Sequence, residues 1–135
     1  AIAGLSVGAL QTIFITALNP ELFDYIGLFS PMIKPVFHYG EHSGFYRDLK
    51  KRLIVQFATP PKLYSIMAGK RDIFFASTEQ FNFYLKTHDY PHEYYMSGGG
   101  HNWRNWEKYS VRFIQRLWNI HKIGDEEKDG MQGAR

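Results

Sequence analysis

The sequence predicts an α/β fold in which a parallel sheet is flanked by helices. Two observations predict it. Short apolar runs alternate with amphipathic stretches along the chain, and strands separated by helices of about 10 to 15 residues typically form right-handed βαβ units. Neither an internal repeat nor a second composition zone interrupts the pattern, so we expect one α/β unit in these 135 residues.

Each element follows from its local pattern. Strands are predicted where a short apolar run is bounded by turn residues, as in DYIGLFS before Pro31. Helices are predicted where apolar side chains recur every three or four residues, as at Leu10, Phe14 and Leu18 before Asn19-Pro20. The predicted order is strand 1–4, helix 8–18, strand 24–30, loop 31–44, helix 45–57, strand 63–68, helix 74–87, strand 92–96 and helix 103–121.

The last helix carries the clearest pattern. Trp106, Tyr109, Phe113 and Leu117 recur at steps of three and four, so we expect this face to lie on the sheet. The charged, glycine-containing residues 122–135 lack the pattern, so we expect a solvated or disordered tail there. The predicted domain therefore covers residues 1–121.

Composition limits the possible functions. The chain is 44% hydrophobic and 17% aromatic, which is typical of a folded domain. A formal charge of +3, spread along the chain, argues against a nucleic-acid partner, and no apolar run is long enough to cross a membrane. The absence of cysteine excludes disulfides, thiolate metal sites and a cysteine nucleophile.

The opening stretch AIAGLSVGAL places Ser6 between Gly4 and Gly8 at the predicted strand-to-helix turn. A serine at such a turn takes strained backbone angles, and small residues two positions away let the strand and the helix approach each other. The turn lifts the Ser6 hydroxyl clear of the sheet and directs the Val7 N–H to where an oxyanion would form. Ser6 is therefore a candidate nucleophile, although the pattern alone also fits a small residue at a tight turn.

Two downstream residues complete a possible catalytic set. A serine nucleophile needs a base, and the base needs an acid that orients it. Asp72 and His101 both follow predicted strands, where the functional groups of parallel sheets gather, whereas Asp24 and Asp89 do not. The plainer interpretations are that Asp72 caps the next helix and that His101 is a packed or surface residue. We expect the three glycines before His101 to form a flexible loop that suits a residue needing careful placement.

Three stretches, AIAGLSVGALQTIFITALNPELFDYIGLFSP, AGKRDIFF and GGGHNWRNWEKY, resemble the C-terminal half of the esterase-D-like esterases over roughly residues 1 to 118. This α/β-hydrolase family contains feruloyl and acetylxylan esterases of carbohydrate esterase family one, enterochelin-type esterases and S-formylglutathione hydrolases. The resemblance implies Ser6 as nucleophile, Asp72 as acid and His101 as base, in the chain order of α/β-hydrolases. Val7 and Ala9 stand where the family usually has Met and Gly; valine keeps the backbone oxyanion donor, and alanine is tolerated in a helix.

The implied activity is hydrolysis of carboxylic esters through an acyl-enzyme, on feruloyl or acetyl esters of plant polysaccharide, without a cofactor or metal. The alternatives are a hydrolase of S-formylglutathione or of a siderophore ester, an acyltransferase, and a non-catalytic module. A polysaccharide esterase would be secreted or periplasmic, and the other two hydrolases cytoplasmic. The candidate pocket residues are Met32, Phe37, Tyr39, Asn102 and Trp103.

Two further expectations concern metals and partners. His38 and His42, and likewise His88 and His92, are four residues apart, but neither pair has an obvious third ligand, so we expect surface residues and no metal. The chain begins with Ala rather than Met. We expect it to be the C-terminal half of a longer domain, with the second oxyanion donor upstream and with the first strand pairing with that half or with another copy of the chain.

Overall fold

The computed structural model describes residues 1–33 and 48–133, with the backbone only at positions 129, 132 and 133. Over these residues, parallel strands alternate with helices, which confirms the predicted α/β class. Each strand begins and ends within about one residue of the predicted bounds. The elements are β1 (Ile2–Leu5), α1 (Val7–Leu18), β2 (Tyr25–Phe29), α2 (Leu49–Ala58), β3 (Leu63–Gly69), α3 (Phe75–Thr87), β4 (Glu93–Ser97) and α4 (Trp103–Gly133).

The sheet has the order β1-β2-β3-β4, so strands that follow one another in the chain are neighbours in space. All three pairings are parallel, and every residue of β3 is buried. Because the strands are parallel, their carboxyl ends meet at one edge of the sheet. The segments that carry Ser6, Asp72 and His101 leave β1, β3 and β4 at that edge.

Helices cover both faces of the sheet. On one face, α1, α2 and α3 pack over alternate strand residues such as Ile26 and Ile66. On the other face, Tyr109 and Phe113 of α4 pack on Phe29 and its neighbours, as the sequence pattern predicts. This alternation explains the nearly continuous apolar runs of β2 and β3, since both faces of each strand are covered.

The buried face of α1 coincides only in part with the repeat of Leu10, Phe14 and Leu18. Leu18 is 50% exposed, whereas Ala9, Ile13 and Ala17 are buried against the sheet. The small alanines allow the helix axis to approach the strands closely. Since α1 is apolar on nearly all sides, the pattern alone does not select one face.

The last helix is longer than the sequence indicates. α4 continues to Gly133, so residues 122–133 are helical, where their composition led us to expect an irregular tail. Charged residues such as Glu and Lys are good helix formers, and His121 and Asp125 form an i,i+4 pair at 3.3 Å. The domain boundary at residue 121 stays a prediction. No helix in the described ranges is both long enough and apolar enough to cross a membrane.

Candidate active site

A single residue, Ser6, separates β1 from α1. Its backbone has φ 54° and ψ −117°, a conformation that costs a non-glycine residue about 1–3 kcal/mol. Backbone hydrogen bonds hold it. The Ser6 N–H donates to the Phe29 carbonyl (2.9 Å), and the Ser6 carbonyl accepts the Met32 N–H (3.1 Å) as well as the N–H groups of Ala9 and Leu10 in α1. The strained turn is therefore fixed by β2 and by the residues that follow it.

The two glycines around Ser6 differ in their surroundings. A Cβ at Gly4 would lie 2.2 Å from the Gly8 carbonyl oxygen, so only glycine allows β1 and α1 to approach this closely. A Cβ at Gly8 would meet nothing within 4 Å among the described residues. The expectation that both positions need a small residue is therefore right for Gly4 and wrong for Gly8 in this part of the chain.

Ser6, His101 and Asp72 form a continuous hydrogen-bonded chain. His101 Nε2 lies 2.9 Å from Ser6 Oγ, and His101 Nδ1 lies 3.0 and 3.1 Å from the two carboxylate oxygens of Asp72. A carboxylate only accepts hydrogen bonds, so Nδ1 carries a hydrogen and donates a hydrogen bond to Asp72. In the neutral imidazole, Nε2 is then free to accept the Ser6 hydroxyl proton.

The carboxylate of Asp72 is held from two sides. Its side chain is fully buried, whereas that of His101 is 19% exposed. Besides facing His101, Oδ1 accepts the Phe74 N–H at 2.9 Å, just before α3 begins. Asp72 therefore bonds both to the imidazole and to a backbone N–H that precedes α3. The N-cap of α3 is Phe74, and it has no side-chain cap bond, so the interpretation of Asp72 as the cap of this helix is wrong.

The glycine loop before His101 is packed on both sides. Gly99 has φ +83°, and a Cβ on it would lie 3.0 Å from Asn105 Nδ2. The Gly99 carbonyl accepts the Arg71 N–H at 2.9 Å, and Asn105 Nδ2 donates to the carbonyls of Gly98 (3.2 Å) and Gly100 (2.9 Å). The expectation of a flexible loop stays a prediction. Gly99 and Gly100 allow close approach, whereas a Cβ at Gly98 would meet nothing within 4 Å among the described residues.

Aromatic rings surround the imidazole of His101. Phe74 and Trp106 make edge-on contacts with it, with ring centroids 5.2 and 5.0 Å away. Trp106 is itself anchored, because its Nε1–H donates to Ser30 Oγ at 3.1 Å and Ser30 is fully buried. The ring of His101 is therefore held by packing as well as by hydrogen bonds.

The predicted pocket residues differ in their surroundings. The side chain of Trp103 is 67% exposed, and its ring centroid lies 5.3 Å from that of Trp106. Asn102 instead uses its side-chain oxygen to accept the Asn105 N–H at 3.2 Å, which caps α4. The backbone of Met32 bonds to Ser6. Phe37 and Tyr39 lie outside the described residues.

The candidate oxyanion donor, Val7, is the first residue of α1. Within the described residues, its N–H has no hydrogen-bond acceptor. An N–H at a helix start beside a serine hydroxyl is suited to bind negative charge. The geometry therefore leaves one donor available next to Ser6.

His88 and His92 form hydrogen bonds away from this site. His88 Nδ1 lies 2.8 Å from the Tyr84 carbonyl, and His92 contacts the Tyr90 carbonyl and the Asn82 side chain. His38 and His42 lie outside the described residues. In residues 1–33 and 48–133, no three His, Asp or Glu side chains come together as a metal site would require.

The sequence reasoning missed two residues of the site, Asn105 and the anchored Trp106. One signal for Asn105 was available. It lies four residues before Tyr109 and hence beside the buried face of α4, where a polar side chain needs a partner. The contact between Trp106 and Ser30 spans 76 residues, and no local pattern indicates it.

Comparison with known protein families matches residues 1–120 to the family described as "Putative esterase". The chain belongs to this esterase family. Solved structures are similar to it as well, and three of them serve as examples. FphF, a fluorophosphonate-binding serine hydrolase of Staphylococcus aureus, is 18% identical (TM-score 0.66; 88% of this chain, 53% of that one). The S-formylglutathione hydrolase FrmB of the same organism is 20% identical, with a TM-score of 0.66 over 88% of this chain and 50% of that one. A ferulic acid esterase is 19% identical, with a TM-score of 0.67 over 91% of this chain and 51% of that one.

These likenesses establish the α/β-hydrolase fold, shared with other members of the esterase family. The chain spans about half the length of the structures that it matches. No curated protein matches it.

Proposed function

We propose that this chain carries the catalytic residues of a serine esterase, with Ser6 as nucleophile, His101 as general base and Asp72 as the acid that orients it. The observation that carries this proposal is the continuous chain from Ser6 Oγ through His101 to the buried Asp72 carboxylate. It stands on a strained strand-to-helix turn in a member of an esterase family. Such a set activates a hydroxyl that is otherwise a weak nucleophile.

The proposed reaction has two halves. His101 Nε2 takes the Ser6 proton while Oγ attacks the ester carbonyl, and the Val7 N–H binds the resulting oxyanion. His101 then gives the proton to the departing alcohol, which leaves an acyl group on Ser6. Water, deprotonated by His101, attacks this acyl-enzyme and releases the acid, which regenerates the serine.

The proposed site is completed by further protein. β1 pairs with β2 along one side, and the described residues include no strand on its other side. Ala3 in the middle of β1 is exposed, although parallel strands are normally covered on both faces. Because the chain spans about half the length of its structural relatives, we propose that an additional segment of the same protein pairs with β1 and supplies the second oxyanion donor.

Feruloyl or acetyl esters of plant polysaccharide are the proposed substrates. The support is the exposed Trp103, two ring contacts from His101, which offers a flat apolar surface to an aromatic acyl group or a sugar. A structural relative named as a ferulic acid esterase adds to it. The second candidate is a thioester of the S-formylglutathione type, because another relative carries that name.

The first experiment tests the nucleophile in the full-length protein. We expect Ser6→Ala to lower kcat for a short p-nitrophenyl ester by at least about a thousandfold while the melting temperature stays within a few degrees. A fluorophosphonate should label Ser6. The matched control is Ser110→Ala, which removes a hydroxyl bonded within α4 and should leave hydrolysis unchanged. An active Ser6→Ala protein, or labelling at Ser30 or Ser97, would reject the proposal.

The second experiment compares kcat/KM for methyl ferulate and acetylated xylan with that for S-formylglutathione. We expect the first two to be preferred. A Trp103→Ala variant should lose activity on methyl ferulate more than on p-nitrophenyl acetate, since only the larger acyl group reaches the indole. A clear preference for the thioester would instead favour the second candidate.

A further inference from the structure

A buried amide lies behind the loop that carries the histidine. Asn105, in the first turn of α4, is only 4% exposed. Its Nδ2 donates both of its hydrogens, to the Gly98 carbonyl at 3.2 Å and to the Gly100 carbonyl at 2.9 Å. We propose that Asn105 is a positioning residue that sets where His101 stands relative to Ser6, an inference that rests on the proposed function of this site.

The chemistry of the amide fits this task. Two hydrogens on one nitrogen can bridge two carbonyls in the same turn, and an uncharged side chain of this size offers that arrangement only as asparagine. The amide is itself anchored, because the Asn105 N–H donates to the main-chain and side-chain oxygens of Asn102, each at 3.2 Å. Asn105 therefore joins the loop to the start of a long helix that is packed on the sheet.

The opposite side of the loop is also fixed. The Gly99 carbonyl accepts the Arg71 N–H at 2.9 Å, one residue before Asp72. A Cβ at Gly69 would lie 2.4 Å from the Gly99 oxygen and 2.8 Å from Asn105 Nδ2, so the end of β3, the loop and the amide are in direct contact. Asn105 thus helps to hold the loop that carries His101 against the end of β3, which leads to Asp72.

The loss of the two hydrogen bonds from Asn105 Nδ2 should slow the reaction by moving His101 relative to Ser6. Without the two bonds, the carbonyls of Gly98 and Gly100 would turn toward other donors, and His101 would move with them. A misplacement of about 1 Å can cost a factor of about 100 in rate. Asn105 is only 4% exposed, so we expect it not to touch the substrate, and the effect should appear in kcat and not in KM.

The test uses Asn105→Ala in the full-length protein, with Thr16→Val as the matched control. Thr16 is 1% exposed and donates to the Thr12 carbonyl at 2.9 Å in α1, so its replacement also removes a buried hydrogen bond, but away from the loop. We expect both variants to melt at lower temperature. Asn105→Ala alone should lower kcat by about 10- to 100-fold, with KM within about twofold, and should weaken or shift the downfield proton resonance of His101 Nδ1–H.

Several outcomes would overturn the role. Wild-type kcat and an unchanged His101 resonance in a folded Asn105→Ala protein would make Asn105 a structural residue only, and so would an equal loss of kcat in Thr16→Val. If Asn105→Ala does not fold, Asn105→Ser takes its place: its single donor should give a smaller loss of kcat at unchanged KM, and wild-type kcat would again reject the role. Ser6→Ala, assayed in parallel, separates the two levels, because activity in that variant rejects the proposed function itself.

Discussion

The two ends of this parallel sheet differ in how their polar groups are satisfied. At the carboxyl end, Ser6, Asp72 and His101 bond to one another, and the buried Ser30 accepts from Trp106. The amino end carries a groove of about 160 Å³, lined by residues such as Asp24, Gln56 and Pro61. There, Gln56 Oε1 is buried without a hydrogen-bond partner among the described residues, and Asp24 pairs with Lys62 in solvent at 3.0 Å.

Residues with positive φ occur at both ends of the sheet: Glu21 and Asp89 at the amino end, and Ser6 and Ser30 at the carboxyl end. The two serines at the carboxyl end are held by the sheet, because the N–H of each donates to a carbonyl of the neighbouring strand. Such conformations persist only where the surroundings over-determine them. The exposed ion pair at the amino end contributes little to stability. Substitutions at the carboxyl end should therefore change activity, and those at the amino end should change stability alone.

The largest expected effect is at the acid. Asp72→Asn should lower kcat by about 10⁴-fold, because an amide facing Nδ1 favours the tautomer in which Nε2 carries the proton and cannot accept from Ser6. The melting temperature should change little, since an amide occupies nearly the same volume. Steady-state hydrolysis of p-nitrophenyl acetate measures the loss.

The matched variant at the other end of the sheet is Asp24→Asn. It makes the same chemical change at an exposed carboxylate, so kcat should stay within about twofold and stability should fall by less than about 1 kcal/mol. Equal losses of kcat in both variants would remove the distinction between the two ends.

A smaller effect is expected at the glycines of the turn. Gly4→Ala places a Cβ against the Gly8 backbone and should destabilise the protein by about 1–3 kcal/mol or more. Gly8→Ala places a helical alanine in open space and should stabilise by up to about 1 kcal/mol. Urea unfolding of the two variants measures both. A destabilised Gly8→Ala protein would indicate that another part of the protein occupies the space beside Gly8.

The smallest effect concerns Tyr64, near the amino end of β3. Its buried hydroxyl has no hydrogen-bond partner among the described residues, so Tyr64→Phe should stabilise by about 1 kcal/mol at neutral pH. Burial raises the pKa of Tyr64 far above its ordinary value of 10.0. Above the ordinary value, Tyr64 ionises in the unfolded chain while it stays neutral in the folded chain, so the stability of the protein falls as pH rises. The Tyr64→Phe variant should lose less stability over the same pH range. Urea unfolding of both proteins at several pH values measures these differences. A Tyr64→Phe protein that is less stable than wild type at neutral pH would show that the hydroxyl has a hydrogen-bond partner.

The strands and the three proposed catalytic positions could be predicted because their signals are local. Each strand is a short apolar run that ends at a turn residue, and parallel strands bring the residues that follow them to one edge. Ser6, Asp72 and His101 each follow such a run, so their meeting requires no knowledge of side-chain packing. The resemblance to esterase-D-like esterases adds the roles of the three residues, which remain proposals.

The parts that could not be predicted depend on contacts between distant segments. Three glycines in a row suggest freedom of movement, and only the folded chain shows that Arg71 and Asn105 enclose them. The buried face of α1 depends on how closely its alanines approach the sheet. The helical form of residues 122–133 arises from charged side chains that lack an amphipathic pattern.

The separation of Ser6 from His101 along the chain, 95 residues, has a kinetic consequence. Each strand pairs with the next one in sequence, so the sheet can grow stepwise through comparatively short loops, whereas the hydrogen bond between Ser6 and His101 closes a much longer one. Loop closure of this length is entropically costly and has to follow the shorter closures. The bond between Trp106 and Ser30 closes a shorter loop of 76 residues. During refolding, the hydrolytic activity should therefore return after the fluorescence change that reports the packing of Trp106, and the rate at which it returns measures the closure of the longer loop.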